Sequence, residues 1–137
     1  MTKILMATDG SPHSEKVTNT VIKLARALDA DVSVISVAEV SAGMGPDLVA
    51  LYRESMEKEV KNILNRTKEH FAGEGLTVET IFKEGHPSDL ICAVADEGNY
   101  DMIVLGNRGL GKIKEMILGS VSNRVAHCAK KSVYIVK

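Results

Sequence analysis

Short continuous apolar runs alternate along this chain with longer stretches whose apolar positions recur every three or four residues. Ile4-Leu5-Met6-Ala7 reads as a strand covered on both faces. It ends in Thr8-Asp9-Gly10-Ser11-Pro12, where Ser11 is the expected helix cap and Pro12 the first helical position. Val17, Val21, Leu24, Ala25 and Leu28 then keep helical spacing until Asp29-Ala30-Asp31 breaks it. Val32-Ser33-Val34-Ile35-Ser36-Val37-Ala38 is a second strand. A loop is expected over 39–47, which holds Ser41, Gly43, Gly45 and Pro46. The next helix puts Met56, Val60, Ile63, Leu64, Thr67 and Phe71 on one face, with Glu57, Lys58, Lys61 and Lys68 away from it. Gly73 and Gly75 stop that helix. Residues 76–82 alternate: Val78, Thr80 and Phe82 lie on one side, Thr77, Glu79 and Ile81 on the other. This half-polar pattern predicts an edge strand.

Gly85-His86-Pro87 opens the third helix, with His86 a candidate cap and Asp89 in the first turn. Leu90, Ile91, Val94 and Ala95 face inward, and Gly98 ends the helix. Met102-Ile103-Val104-Leu105 is a fourth strand. Val121, Val125, Cys128 and Ala129 form the buried stripe of a last helix, and Val133-Tyr134-Ile135-Val136 is a final strand. The order βαβαβαβαβ implies an α/β fold, a parallel sheet with helices on both faces. One domain is expected over 1–137, with no linker and no repeat. In such sheets ligands bind beyond the carboxyl ends of the strands, where the strand order reverses. The first and fourth strands are the natural neighbours at that point, and their carboxyl ends carry Asp9 and the loop that starts at Gly106.

The stretch after the fourth strand is the most distinctive in the chain. Gly106-Asn107-Arg108-Gly109-Leu110-Gly111 is a glycine-rich turn, and Gly119-Ser120 opens the helix that follows. Glycines let main-chain N–H groups approach an anion without a Cβ in the way. The first turn of a helix adds unpaired N–H donors and the positive end of the dipole. Ser120 and Ser122 add hydroxyls, so the expected ligand is a nucleotide. Gly106 to Lys112 fits seven positions of the P-loop pattern GxxxxGK[ST], but Ile113 stands where the metal-binding hydroxyl belongs. Gly109-Leu110-Gly111 also lacks the third glycine of a dinucleotide fingerprint.

Bulk composition narrows the partners. The chain has 137 residues, 45% of them apolar, which suits a full core. A net charge of −1 gives no bulk attraction for nucleic acid or an anionic membrane, so an anion site must be local. No apolar run reaches membrane-spanning length, and the N-terminal run is too short for a signal peptide. Cys92 and Cys128 lack metal-ligand spacing and read as small buried apolar residues, in keeping with a cytoplasmic location. The four histidines are scattered, with no paired ligand spacing.

The spacing Gly106-x2-Gly109-x9-Gly119-Ser120 resembles the ATP-binding branch of the universal stress protein family. The resemblance runs the length of the chain, through Ala7-Thr8-Asp9-Gly10-Ser11, Gly85-His86-Pro87, the strand ending at Gly106 and the final strand. It implies a three-layer, open, twisted five-stranded parallel sheet in the order 3-2-1-4-5, Rossmann-like and similar to the adenine nucleotide alpha hydrolases. It also implies roles. Gly106, Gly109, Gly119 and Ser120 would surround the triphosphate of ATP. Arg108 would add a charge, and Val121 and Ser122 would stand beside the phosphates. Asp9, flanked by Ala7 and Thr8, would lie near the ribose. The main chain of Val37 would meet the adenine edge. Mg²⁺ or Mn²⁺ is the expected companion of the phosphates, although no carboxylate cluster is dedicated to it. The resemblance further implies a homodimer through 133–136, whose apolar edge needs cover.

Plainer roles remain open for the same residues: glycines that only turn the chain, Ser120 as an N-cap, Asp9 as a turn former before Gly10, Lys112 and Lys114 as solvated charges. Catalysis is not indicated, because no base is in evidence and Asp9 is the one acid placed at the strand ends. The leading expectation is a nucleotide-dependent switch in the stress response, with the 39–47 and 107–118 segments drawn onto the ligand and a further protein reading the change. A slow Mg²⁺- or Mn²⁺-dependent ATPase and a dimeric interaction module with incidental nucleotide are the alternatives.

Overall fold

The computed structural model describes residues 1–39, 45–108 and 119–137. Its elements run β1 (Lys3–Ala7), α1 (Ser14–Leu28), β2 (Asp31–Ala38), α2 (Pro46–Gly73), β3 (Glu79–Glu84), α3 (Pro87–Glu97), β4 (Met102–Gly106), α4 (Ser120–Cys128) and β5 (Ser132–Val136). The five strands form one sheet in the order β3-β2-β1-β4-β5, all pairs parallel. This is the order and the α/β architecture that the sequence implied.

The apolar runs split between the two faces with a period of two, as pleating requires. Ile4, Met6, Val32, Val34 and Val104 join α1 and α2 residues such as Val21, Leu64 and Phe71 in one core. Leu5, Ala7, Ile35, Ile103 and Leu105 join Ile91 and Ala95 of α3 and Val125 of α4 in the other. The central strands β1 and β4 are therefore apolar over 4–7 and 102–105, because both of their faces are covered.

Four expectations are corrected. The first helix starts at Ser14, not at Ser11–Pro12; the Ser14 N–H and hydroxyl both donate to the Ser11 carbonyl, at 2.9 and 2.6 Å. This tight turn occupies the span in which helix was expected. The third strand begins at Glu79 rather than 76, and Val78 is buried just ahead of it. Val121 is 37% exposed rather than part of the buried stripe, because Ser122 and Val125 set the inward face of α4. The two cysteines are not separate core residues: Cys92 and Cys128 are joined in a disulfide, with Cα atoms 6.2 Å apart. Helices α3 and α4 share a face of the sheet, and that packing brings together residues 36 apart in sequence.

Among the described residues, no helix is long and apolar enough to cross a membrane.

Candidate functional site

Strand register places the candidate residues along one edge. Met6 pairs with Val104, so Asp9 and Asn107 each lie three residues past a shared level. The chain beyond β4 is then fixed in two steps. Asn107 N–H donates to the Val136 carbonyl of β5 at 2.9 Å, and the Asn107 carbonyl accepts from Gly119 N–H at 2.6 Å. The start of α4 is thereby held at the carboxyl edge of the sheet, beyond the ends of β4 and β5. A Cβ on Gly119 would lie 3.1 Å from the Asn107 oxygen, so the close approach of these two backbones favours glycine.

Gly119 is the N-cap of α4 and has no side chain with which to cap it. Ser120 is therefore the first helical residue, and its reading as an N-cap is set aside. The Ser122 hydroxyl, buried, donates to the Gly119 carbonyl at 3.0 Å, and the same carbonyl accepts from Asn123 N–H at 2.9 Å. Since the Gly119 N–H is engaged with Asn107, the phosphate donors at this turn would be the N–H groups of Ser120, Val121 and Ser122, which have no intrahelical acceptor. The exposed Ser120 hydroxyl and the exposed Arg108 lie at the two ends of the intervening segment.

At the end of β1, Asp9 is exposed and builds a turn: its Oδ1 accepts from Ser11 N–H at 2.9 Å. The turn-forming role is thus real. A carboxylate has acceptor sites for further donors, so the bond does not exclude a ribose contact. Gly10 completes the turn at φ +74°, with Ile63 packed where a Cβ would project, 2.6 Å away. Thr8 bridges to β2: its N–H donates to Ile35 and its carbonyl accepts from the Ser36 hydroxyl at 2.7 Å. Ala7 is the last residue of β1 and belongs to the core.

The backbone of β2 alternates between its neighbours. Ile35 turns its carbonyl to Thr8, whereas Ala38 turns its own to Gly85 N–H beyond β3. Val37, two residues past Ile35, must therefore turn its N–H and C=O toward the β1 side, above the Thr8–Asp9 turn where β1 has already ended.

Sequence reasoning passed over His13. Its ring packs on Gly106, where a Cβ would meet His13 Cδ2 at 2.6 Å, and its Nε2 lies 2.9 Å from the Val136 carbonyl. One side chain so joins the turn before α1 to the ends of β4 and β5. Gly106 accordingly has a packing reason to be glycine. No spacing rule points to His13, because the partners are brought together only by the sheet. His86 does not cap α3 with its side chain. Its Nε2 accepts from Arg124 Nη1 at 2.7 Å, which leaves the proton on Nδ1, 3.1 Å from the Ser88 hydroxyl.

The edge thus gathers Ala7, Thr8, Asp9, Val37, Gly106, Arg108, Gly119, Ser120, Val121 and Ser122. Gly109 and the parts of the expected closing segments at 40–44 and 109–118 lie outside the described residues. Among the described residues, no group of three or more His, Cys, Asp or Glu is placed to hold a metal ion.

A family model described as "Universal stress protein family" matches residues 1–137. The chain belongs to the universal stress protein family. Universal stress protein YxiE of Bacillus subtilis is 33% identical over 98% of both chains. The solved structure of Methanocaldococcus jannaschii protein MJ0577, itself a universal stress protein, superposes with a TM-score of 0.90 at 27% identity, covering 98% of this chain and 94% of that one. A universal stress protein solved in complex with cAMP is 26% identical with a TM-score of 0.77, over 99% of this chain and 97% of that one. The two solved structures share the Rossmann-like arrangement of strands and helices described above.

Proposed function

We propose that this protein, a single universal stress protein domain over 1–137, binds ATP at the carboxyl edge of β1 and β4 and acts as a nucleotide-dependent switch. The observation that carries the reading is the bond from Gly119 N–H to the Asn107 carbonyl. It holds the first turn of α4 beyond the end of β4, the strand paired with β1, so amide donors and the acidic Asp9 turn stand at the same carboxyl edge of the sheet. Helix N-termini of this kind favour phosphate through unpaired N–H groups and the dipole. A ribose hydroxyl would donate to Asp9, and the outward backbone of Val37 offers one donor and one acceptor to an adenine edge. A related structure that holds cAMP supports an adenine nucleotide in the same fold.

ATP is favoured over shorter nucleotides because the donors extend past the α4 turn to Arg108. A Mg²⁺ or Mn²⁺ ion would travel with the phosphates, held mainly by them and by water. The switch consists in the surface that the occupied edge presents to another protein, within the cytoplasm. Calorimetry with ATP, ADP, AMP and cAMP tests the reading. ATP should bind most tightly, and Gly119→Val, which would force Asn107 and Gly119 apart, should weaken it by about tenfold or more, a cost of about 1.4 kcal/mol. Equal affinity in wild type and Gly119→Val would reject the site. Unchanged hydrogen exchange at residues 119–123 on adding ATP would reject the switch.

A further inference from the structure

A concavity lies between the start of α3 and the outer side of α4. It has a volume of about 530 Å³ and is lined by His86, Ser88, Asp89, Arg124, His127 and Cys128, among others. Cys128, in its wall, is one half of the disulfide to Cys92. The two sulfurs are not equivalent. Cys128 is exposed, whereas Cys92 is half-buried against the α3–α4 core.

We propose that this cavity is a thiol-exchange site that takes a small anionic thiol and transfers it to Cys128. The site supplies charge, access and direction. Arg124 stands one helical turn before Cys128 on α4, and its guanidinium lines the cavity. An incoming carboxylate can pair with it. The acid in the wall is Asp89, but its side chain is 79% exposed and lies 3.5 Å from the His86 ring, so water screens its repulsion. Direction follows from the helices. Cys128 is the last residue of α4, at the negative end of that dipole, where expelled negative charge is poorly placed. Cys128 is the more exposed of the two residues, so attack falls there and Cys92, inside α3, is the sulfur expelled.

The step balances. The sulfur of the incoming thiolate attacks Cys128 Sγ, the Cys92–Cys128 bond breaks, and its electron pair leaves on Cys92 Sγ. Cys92 is then protonated from water or attacks the mixed disulfide and expels the small thiol again. One disulfide is consumed and one is formed, so no further oxidant is needed. The inference does not depend on nucleotide binding.

The test uses the full chain purified without reductant. It is exposed to glutathione, a tripeptide thiol with net negative charge, or to cysteamine, a cationic thiol, at equal thiolate concentration. Reactions are quenched by alkylation, and peptide mass spectrometry locates the adducts. The expected result is glutathione on Cys128 with Cys92 alkylated, and a glutathione rate about two- to fivefold above that of cysteamine, the scale of one exposed charge pair. Arg124→Gln should remove that preference and leave the circular dichroism spectrum unchanged. Adducts mainly on Cys92, equal rates for both thiols in the wild type, a preference that survives Arg124→Gln, or alkylation of both cysteines before any thiol is added would each overturn the proposal.

Discussion

The contact between His13 and Gly106 shows how one residue's size is set by another far away in sequence. The ring of His13 occupies the space in which a Cβ at position 106 would sit, and it reaches the Val136 carbonyl beyond it. A methyl group at 106 would have to displace the ring and break that bond. Gly106→Ala is therefore expected to cost about 1–3 kcal/mol, the usual scale for an overpacked site. Urea denaturation checks the value. In a His13→Ala background the same substitution should cost much less, because the obstacle is gone. An equal cost in both backgrounds would mean that the strain lies in the backbone or against Val17, whose Cγ2 is 3.2 Å from the same point. Gly10 offers a contrast. It combines φ +74° with Ile63 at 2.6 Å, so trimming Ile63 would relieve only part of any substitution there.

At the scale of elements, α4 has only nine residues, and its stability rests on how its first turn is finished. Gly119 cannot cap with a side chain, so the turn is closed from within by the Ser122 hydroxyl and Asn123 N–H on one carbonyl. Ser122→Ala removes the hydroxyl but leaves the amide bond, so a loss of about 0.5–1.5 kcal/mol is expected by thermal or urea melting. Nucleotide affinity should fall little, since the donors proposed for phosphate are main-chain groups. A large loss of affinity with normal stability would instead place the hydroxyl on the ligand. This helix also marks the limit of what the sequence could tell. Its start at Gly119-Ser120 was legible, because glycine followed by serine after a loop is a local signal. The strand order and the approach of β1 and β4 were legible from apolar runs and from the family spacing. The inward turn of Ser122, the exposure of Val121 and the Cys92–Cys128 bridge were not. Each depends on how α4 is rotated against α3 and the sheet, which no periodicity within nine residues fixes.

At the scale of the whole molecule, the unsolved element is the open edge at β5. Asn107 N–H donates to Val136, so Val136, Tyr134 and Ser132 turn their backbone groups to β4. Val133 and Ile135 must then turn theirs outward, where no further strand pairs with β5 among the described residues. Tyr134 is 44% exposed on the same strand. Such an edge invites pairing, and a second copy related by a two-fold axis presents the same outward groups in antiparallel order. We therefore expect a homodimer joined along 133–136. Val133→Pro would remove an outward N–H while sparing the bonds to β4, and Tyr134→Glu would set like charges near the axis. Sedimentation at micromolar concentration should give a dimer for the wild type and a folded monomer for both variants. A wild-type monomer, or dimers that survive both changes, would move the interface elsewhere. Because β5 pairs with β4, one of the two strands that carry the proposed nucleotide edge, a dimer built this way would place two such edges in fixed relation. A partner protein that reads both at once would gain from their linkage, and its binding should weaken in the monomeric variants even where each copy still binds ATP.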